Sequence, residues 1–355
     1  MSHARWYITQ NTEGHASRNQ LVAVYSGTHF LVDFAGAFLM FRYIAGTQDA
    51  YLCVLLYNFC AFAMQMPLGI IADRLNRNSM FAAVGCLLVA SSFGFLSIPV
   101  VAVLVIGIGN AMFHLGGGID VLNISERRLG ALGVFVSPGA LGVYLGTISG
   151  TGEALHAAFF PVALIVAVGL IVVFYKRQRG GYPKNPAFSI EGLWVRGAAV
   201  AIVCFFVVVC IRSYVGLNLD FTWKSEGYWG VALICVVVLG KTIGGFAADR
   251  FGLKKTAAFS LGLAALLFLF PRIAPSGIAA VFLFNMTMPI TLFAMARIIP
   301  GGKGFAFGIL TFGLFLGFLP GYLEAFIPAG VNWIFAVLSA ISLALLLTGL
   351  RSAKL

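Results

Sequence analysis

From Phe159 to Tyr175 the chain reads Phe-Phe-Pro-Val-Ala-Leu-Ile-Val-Ala-Val-Gly-Leu-Ile-Val-Val-Phe-Tyr, with no charge and no alternation of apolar and polar positions. A run of this kind limits the fold more than any motif, because roughly 20 such residues are what a helix needs to cross a bilayer. In hydrocarbon the backbone must satisfy its own hydrogen bonds, so only helices and closed barrels span it. Barrel strands alternate apolar and polar residues, and this run does not. Composition agrees. Of 355 residues, 60% are hydrophobic and 10% charged, whereas soluble domains average about 25% charged. So few charges do not cover a water-soluble surface of this size.

Apolar runs and the breakers between them give twelve spans. In the first half they lie near 20–44, 49–72, 79–97, 99–122, 130–150 and 157–175. In the second they lie near 197–219, 228–248, 255–271, 276–296, 304–323 and 331–350. Residues 1–19 and 351–355 are then tails, and 176–196 is a polar linker between halves. The fold class expected is an all-α membrane protein of two six-helix bundles. Twelve spans put both termini on one side. That side would hold Arg5, Arg18, Arg74, Arg77, Arg127, Arg128, Lys176, Arg177, Arg179, Lys184, Arg196, Arg250, Lys254, Lys255, Arg297, Lys303, Arg351 and Lys354. The opposite side would hold only Arg42, Lys224 and Arg272. Positive residues stay in the cytoplasm, so both termini are expected inside a bacterial-type inner membrane. The net charge of +11 is then a topology signal, and no nucleic-acid partner is expected.

The chain is internally duplicated. Gly69-Ile-Ile-Ala-Asp73-Arg74 follows the second span, and Gly245-Phe-Ala-Ala-Asp249-Arg250 follows the eighth. Gly142, Gly146 and Gly150 form a small-residue stripe on the fifth span. Gly313, Gly317 and Gly321 repeat it on the eleventh. Small residues at four-residue spacing let membrane helices approach closely. The six cysteines lie inside apolar runs without metal or disulfide spacing, and read as packing residues. Residues 1–19 carry no secretory signal pattern. Gly107-Ile-Gly109 and Gly116-Gly-Gly118 lack the strand and the Lys-Ser/Thr of a phosphate loop, so no nucleotide or other cofactor is expected.

Two six-helix halves, with Gly-x-x-Ala-Asp-Arg in both equivalent loops, resemble the major facilitator superfamily. That family's loop motif is roughly Gly-x-Leu-Ala-Asp-Arg-x-Gly-Arg-Lys. The first copy departs from it at Asn76 and Asn78, and the second at Leu253. Within the superfamily, His29-Phe-Leu-Val-Asp33 and Gly109-Asn-Ala-Met-Phe113-His114 are similar to pieces of the fosmidomycin-resistance type. That branch continues with Pro where Leu115 and three glycines stand here. The resemblance implies that helices 1, 4, 7 and 10 line a central cavity about which the halves rock.

Intramembrane ionisable residues are costly, roughly 2.5–3.5 kcal/mol for a central Asp, Lys or Arg, and are functional candidates for that reason. Tyr25, His29 and Asp33 recur every four residues on one face of the first helix, and Asn110 and His114 do so on the fourth. Arg212 is central in the seventh, and Asn285 and Thr287 precede Pro289 in the tenth. The expectation is a proton-coupled secondary transporter of a small organic solute, not an enzyme, working as a monomer. Asp33 and His29 would handle the proton, a role suited to histidine's titration near neutrality. Tyr25, Asn110, His114, Arg212 and Asn285 would bind substrate. Asp73, Arg74, Asp249 and Arg250 would latch and gate the cytoplasmic side. No resident metal is expected.

Plain structural readings stand beside these. Asp33 and Arg212 would pair across the halves. His29 and His114 would be satisfied interior histidines, and Asn285 and Thr287 packing residues. Lys241 would snorkel, and Asp120 and Glu324 would sit solvated at helix ends. Three other functions also fit. One is lipid flipping and one is transport of a divalent metal, should His29, Asp33 and His114 converge. The third is a non-transporting receptor.

Overall fold

A computed structural model describes residues 2–125, 128–152, 155–177, 185–188, 197–324 and 333–355, with side chains from residue 18 onward. Of the residues weighed above, Arg127, Arg179, Lys184, Arg196 and positions 331–332 lie outside the described set, as does the side chain of Arg5. Among the described residues there are twelve helical passes and no strand. They are α1 (Arg18–Ile44, the apolar part of a helix that begins at Ser2), α2 (Ala50–Leu75), α3 (Asn78–Ser92), α4 (Pro99–Ser125), α5 (Gly130–Thr151) and α6 (Phe159–Lys176). The second half holds α7 (Ala198–Asn218), α8 (Trp229–Phe251), α9 (Leu253–Leu267), α10 (Ala274–Ile298), α11 (Lys303–Tyr322) and α12 (Trp333–Ser352).

Ten of the twelve are long and apolar enough to cross a membrane. The other two, α3 and α9, have 15 residues each, shorter than the spans expected at 79–97 and 255–271. At 1.5 Å per residue each covers about 22 Å, and turns at Phe93–Ser97 and Phe268–Arg272 complete the pass. Gly94 and Pro99 end the first of these, and Pro271 the second. The protein is a multi-pass membrane protein with the two-bundle architecture expected. Its apolar residues face outward as lipid requires: Val162, Ile165 and Val166 of α6 are 63%, 58% and 57% exposed.

Packing repeats between the halves. The pairs α1–α5, α3–α6 and α2–α4 of the first half correspond to α7–α11, α9–α12 and α8–α10 of the second. The glycine stripes bring α5 against α1 and α11 against α7 at close range. A Cβ at Gly142 or Gly146 would strike the α1 backbone at Phe30 and Phe34, and one at Gly317 would strike that of α7 at Cys210. The halves meet along α2–α11 and along α5–α8, which are again equivalent pairs.

Among the described residues four passes depart from a regular α-helix, and two of these departures flank the site. α5 is interrupted at Ser137, before Pro138, and α10 at Met286–Thr287, before Pro289. Proline removes a helix donor and clashes with the preceding turn. α1 ends in a π turn, Met40–Ile44, and α2 contains another, Phe59–Ala63.

Candidate functional site

A cavity of about 370 Å³ lies between the halves, within the range of about 300–1,000 Å³ usual for small-molecule sites. Asp33 is the only carboxylate among its described lining residues. One Asp33 oxygen accepts from Asn110 Nδ2 at 2.9 Å and lies 3.6 Å from His114 Nε2. The other lies 3.2 Å from His29 Nε2. The two imidazoles meet edge to face, with centroids 4.4 Å apart.

The far nitrogens of both rings are committed. His29 Nδ1 is 2.7 Å from the carbonyl of Phe135, beside the interruption of α5. His114 Nδ1 is 2.8 Å from the carbonyl of Asn110, one turn back on α4. A carbonyl only accepts, so each Nδ1 carries a hydrogen. In the neutral rings each Nε2 is therefore a bare acceptor turned toward a carboxylate, which is also an acceptor. Three acceptors thus converge with one amide donor among them. A cation shared by the three resolves this, and either a proton or a metal ion is small enough. Gly139 leaves the space: a Cβ there would strike both Asp33 Oδ2 and His29 Nε2.

The opposite wall carries cations. Arg212, 8% exposed, donates from its terminal nitrogens to Thr291 Oγ1 at 3.1 Å and to Thr287 Oγ1 at 2.9 Å. The break before Pro289 turns Thr287 toward it. Arg212 Nε has no acceptor. Asp33 and Arg212 both line the cavity but do not pair, so the expected cross-half ion pair is absent among the described residues. Lys241 lines the cavity too, rather than snorkelling. The reason is helix length: α8 continues to Phe251, past the end expected at 248, so Lys241 sits almost three turns inside.

Of the residues singled out from sequence, His29, Asp33, Asn110, His114 and Arg212 share this cavity. Tyr25 and Asn285 do not line it. Tyr25 is fully buried and donates to Asp120 Oδ2 at 2.6 Å. Asn285 donates to the carbonyl of Val281 at 2.9 Å, one turn back. Asp120 is 1% exposed rather than solvated, because α4 runs on to Ser125. Glu324 is exposed, as expected. His29, Asp33 and His114 are also the set that could hold a metal ion, their ligand atoms all lying within 4.8 Å of one another. Sequence reading missed Gly139, Lys241 and Thr291 as lining residues. The glycine stripe of α5, extended one turn toward Pro138, was the available signal for the first.

The two Gly-x-x-Ala-Asp-Arg copies lie away from the cavity and do equivalent things. Asp73 accepts from the backbone N–H groups of Gly304 and Phe305, both at 2.8 Å, at the start of α11. Asp249 accepts from those of Leu129 and Gly130, at 2.7 and 2.9 Å, at the start of α5. Each carboxylate caps a helix of the other half, where free donors and the helix dipole favour an anion. Gly69 and Gly245 let the backbones close to this distance. The copies differ in cover. Asp73 is 2% exposed and also accepts from Asn185 Nδ2 at 3.0 Å, whereas Asp249 is exposed. Arg74 and Arg250 lie over the rings of Phe188 and Phe251, 5.6 and 5.7 Å from the centroids.

No protein-family model and no curated protein matches this chain in sequence. Solved structures match its shape. The E. coli fucose:proton symporter FucP, a major facilitator superfamily transporter, aligns at 11% identity over 94% of this chain and 97% of its own, with a TM-score of 0.65. A bacterial homologue of the iron transporter ferroportin, in an outward-facing state, aligns at 14% identity over 95% and 98%, with a TM-score of 0.62. The human organic anion transporter MFSD10 aligns at 16% identity over 94% and 99%, with a TM-score of 0.63. At these identities the likeness is one of fold: the chain has the major facilitator fold over nearly its whole length.

Proposed function

We propose that this protein is a secondary transporter that carries a small solute by alternating access and couples its movement to protons. The carrying observation is the convergence of His29 Nε2, His114 Nε2 and the Asp33 carboxylate at the wall of a cavity between two pseudo-symmetric halves. Three acceptors that need a shared cation form a site that takes up and releases one. Proton loading removes the mutual repulsion at the site and changes what the cavity offers a solute. Differential affinity of proton and solute for the two arrangements of the bundle then drives the exchange.

In this reading residues 20–175 and 197–350 are the rocking units, joined by 176–196, with the tails 1–19 and 351–355 and the linker in the cytoplasm. The membrane is a bacterial-type inner membrane, and the unit is a monomer. Asn110 holds Asp33 in place, and Arg212 contacts the solute. Asp73 and Asp249, with Arg74 and Arg250 beside them, tie the halves together at one end and release when that end opens. The fosmidomycin-resistance-type branch fits the His29–Asp33 and Phe113–His114 pairs. Tyr25 and Asn285 have structural partners and are given no contact with the solute.

The test begins with thermal unfolding of the purified protein against a metabolite and antibiotic library at two pH values. A ligand of the folded form raises the midpoint by mass action. The hit is then followed into sealed liposomes under a pH gradient. Gradient-driven uptake that vanishes in Asp33→Asn is the expected result. Uptake by wild type that ignores the gradient would overturn proton coupling.

The same three ligand atoms favour a second cargo, a divalent transition-metal ion, for which imidazole and carboxylate are suitable donors. Zn²⁺ or Co²⁺ separates the two readings. Stabilisation by micromolar metal that disappears in His114→Ala, with metal uptake into liposomes, would replace the organic solute.

A further inference from the structure

We infer that Arg212 and Lys241 form an anion subsite in the cavity wall built by the second half, and that the cargo is a small organic acid: a carboxylate on an apolar body. This rests on the carrier reading above and names its substrate class. Arg212 is more than nine-tenths buried, and the two partners it has are neutral hydroxyls. Its Nε has no acceptor. Lys241 makes no hydrogen bond or ion-pair contact among the described residues, and the charges that act on it are those of Asp33 and Arg212. Asp33, the lining carboxylate, is already engaged by Asn110 and lies against both histidines. The second wall therefore presents two positive charges with no counter-charge of its own.

A desolvated cation without a partner is costly, and inside a membrane such a group marks a substrate path. A bound anion supplies the missing charge. Thr287 and Thr291 hold the two terminal nitrogens and so fix the guanidinium plane. Each terminal nitrogen keeps a second hydrogen for a carboxylate oxygen, in the planar pairing that arginine favours over lysine. Lys241 offers a mobile point charge to the same group. The rest of that wall is mostly apolar, with Val209, Met288, Leu292, Phe307, Leu310 and Leu314 beside the hydroxyl of Thr311. It offers few hydrogen bonds to a polyol and suits a hydrocarbon body. A volume of about 370 Å³ restricts the ligand to a small molecule.

The experiment is binding to the purified full-length protein in detergent, read by thermal shift and calorimetry. The probes are a panel of C4–C8 monocarboxylates, the amides and amines of the same skeletons, and inorganic phosphate. The expected result is that carboxylates bind and the isosteric amides and amines do not. Arg212→Gln and Lys241→Gln each weaken carboxylate binding by about tenfold or more, as expected for loss of a charge-assisted contact. Arg212→Lys recovers part of it, which a purely structural role for the guanidinium would not produce. Should Arg212→Gln fail to fold, Lys241→Gln decides alone. Amides or amines binding as well as carboxylates, phosphate binding in their place, no carboxylate binding at all, or unchanged affinity in Lys241→Gln would each overturn the inference. Carboxylate binding without gradient-driven uptake would instead overturn proton coupling and leave the anion subsite standing. Proton-driven uptake of an uncharged solute would do the reverse.

Discussion

The two walls of the central cavity face each other with opposite electrostatic problems. On the first half, Asp33, His29 and His114 bring three acceptors together and lack a cation. On the second, Arg212 and Lys241 bring two cations against the single carboxylate of Asp33 across the cavity. The scaffold holding them is nearly symmetric: the glycine stripes and the aspartate caps all occur once per half. Duplication is thus kept where the halves pack against each other and is absent at the walls of the cavity. The difference separates groups that the protein satisfies by itself from groups that wait for something to bind.

The walls should therefore respond to mutation with opposite signs. Asp33→Leu leaves the Asn110 amide without its acceptor. An orphaned buried donor is expected to cost about 1–3 kcal/mol, measured by chemical unfolding in mixed micelles. Arg212→Met removes a desolvated charge, while Thr287 and Thr291 keep hydrogen bonds to the carbonyls of Phe284 and Met288. It is expected to stabilise the ligand-free protein by about 1–4 kcal/mol, as apolar replacement of buried ions does elsewhere. Destabilisation of similar size in both variants would erase the distinction between the walls.

Two further effects refine the comparison. Gly139→Ala places a methyl group against Asp33 and His29. Overpacking of this kind costs about 1–3 kcal/mol, and the loss should show in unfolding and in proton-driven uptake together. For the caps, replacing aspartate by alanine costs about 0.5–2 kcal/mol at a helix start. Asp73→Ala should lie at the upper end and Asp249→Ala at the lower, because Asp73 is buried with a third donor and Asp249 is exposed. Equal losses would mean that cover adds nothing to the latch.

The twelve passes were legible in the sequence because hydrocarbon imposes one rule on every residue of a span. The repeated caps were legible because a short motif recurred in equivalent loops. Site residues were legible where an ionisable side chain stood far from a helix end, as His29, Asp33, His114 and Arg212 do. Misplacements came from ending a helix early. Spans ending near 122 and 248 put Asp120 at a helix end and let Lys241 snorkel, yet α4 continues to Ser125 and α8 to Phe251. A Cβ direction is also invisible in a four-residue spacing: Tyr25 shares that spacing with His29, but α1 turns it to Asp120. Partners supplied by bends were the hardest to foresee. Thr287 reaches Arg212, and the Phe135 carbonyl reaches His29, beside helix breaks whose geometry tertiary packing decides.

The most direct measurement of the central claim uses proteoliposomes loaded with a pH-reporting dye and given the ligand found by the stability screen. If Asp33 and its two histidines carry the proton, adding ligand outside wild-type vesicles shifts the internal pH, and Asp33→Asn vesicles of equal protein content show no shift. A ligand-driven pH change of wild-type size in Asp33→Asn would contradict the account.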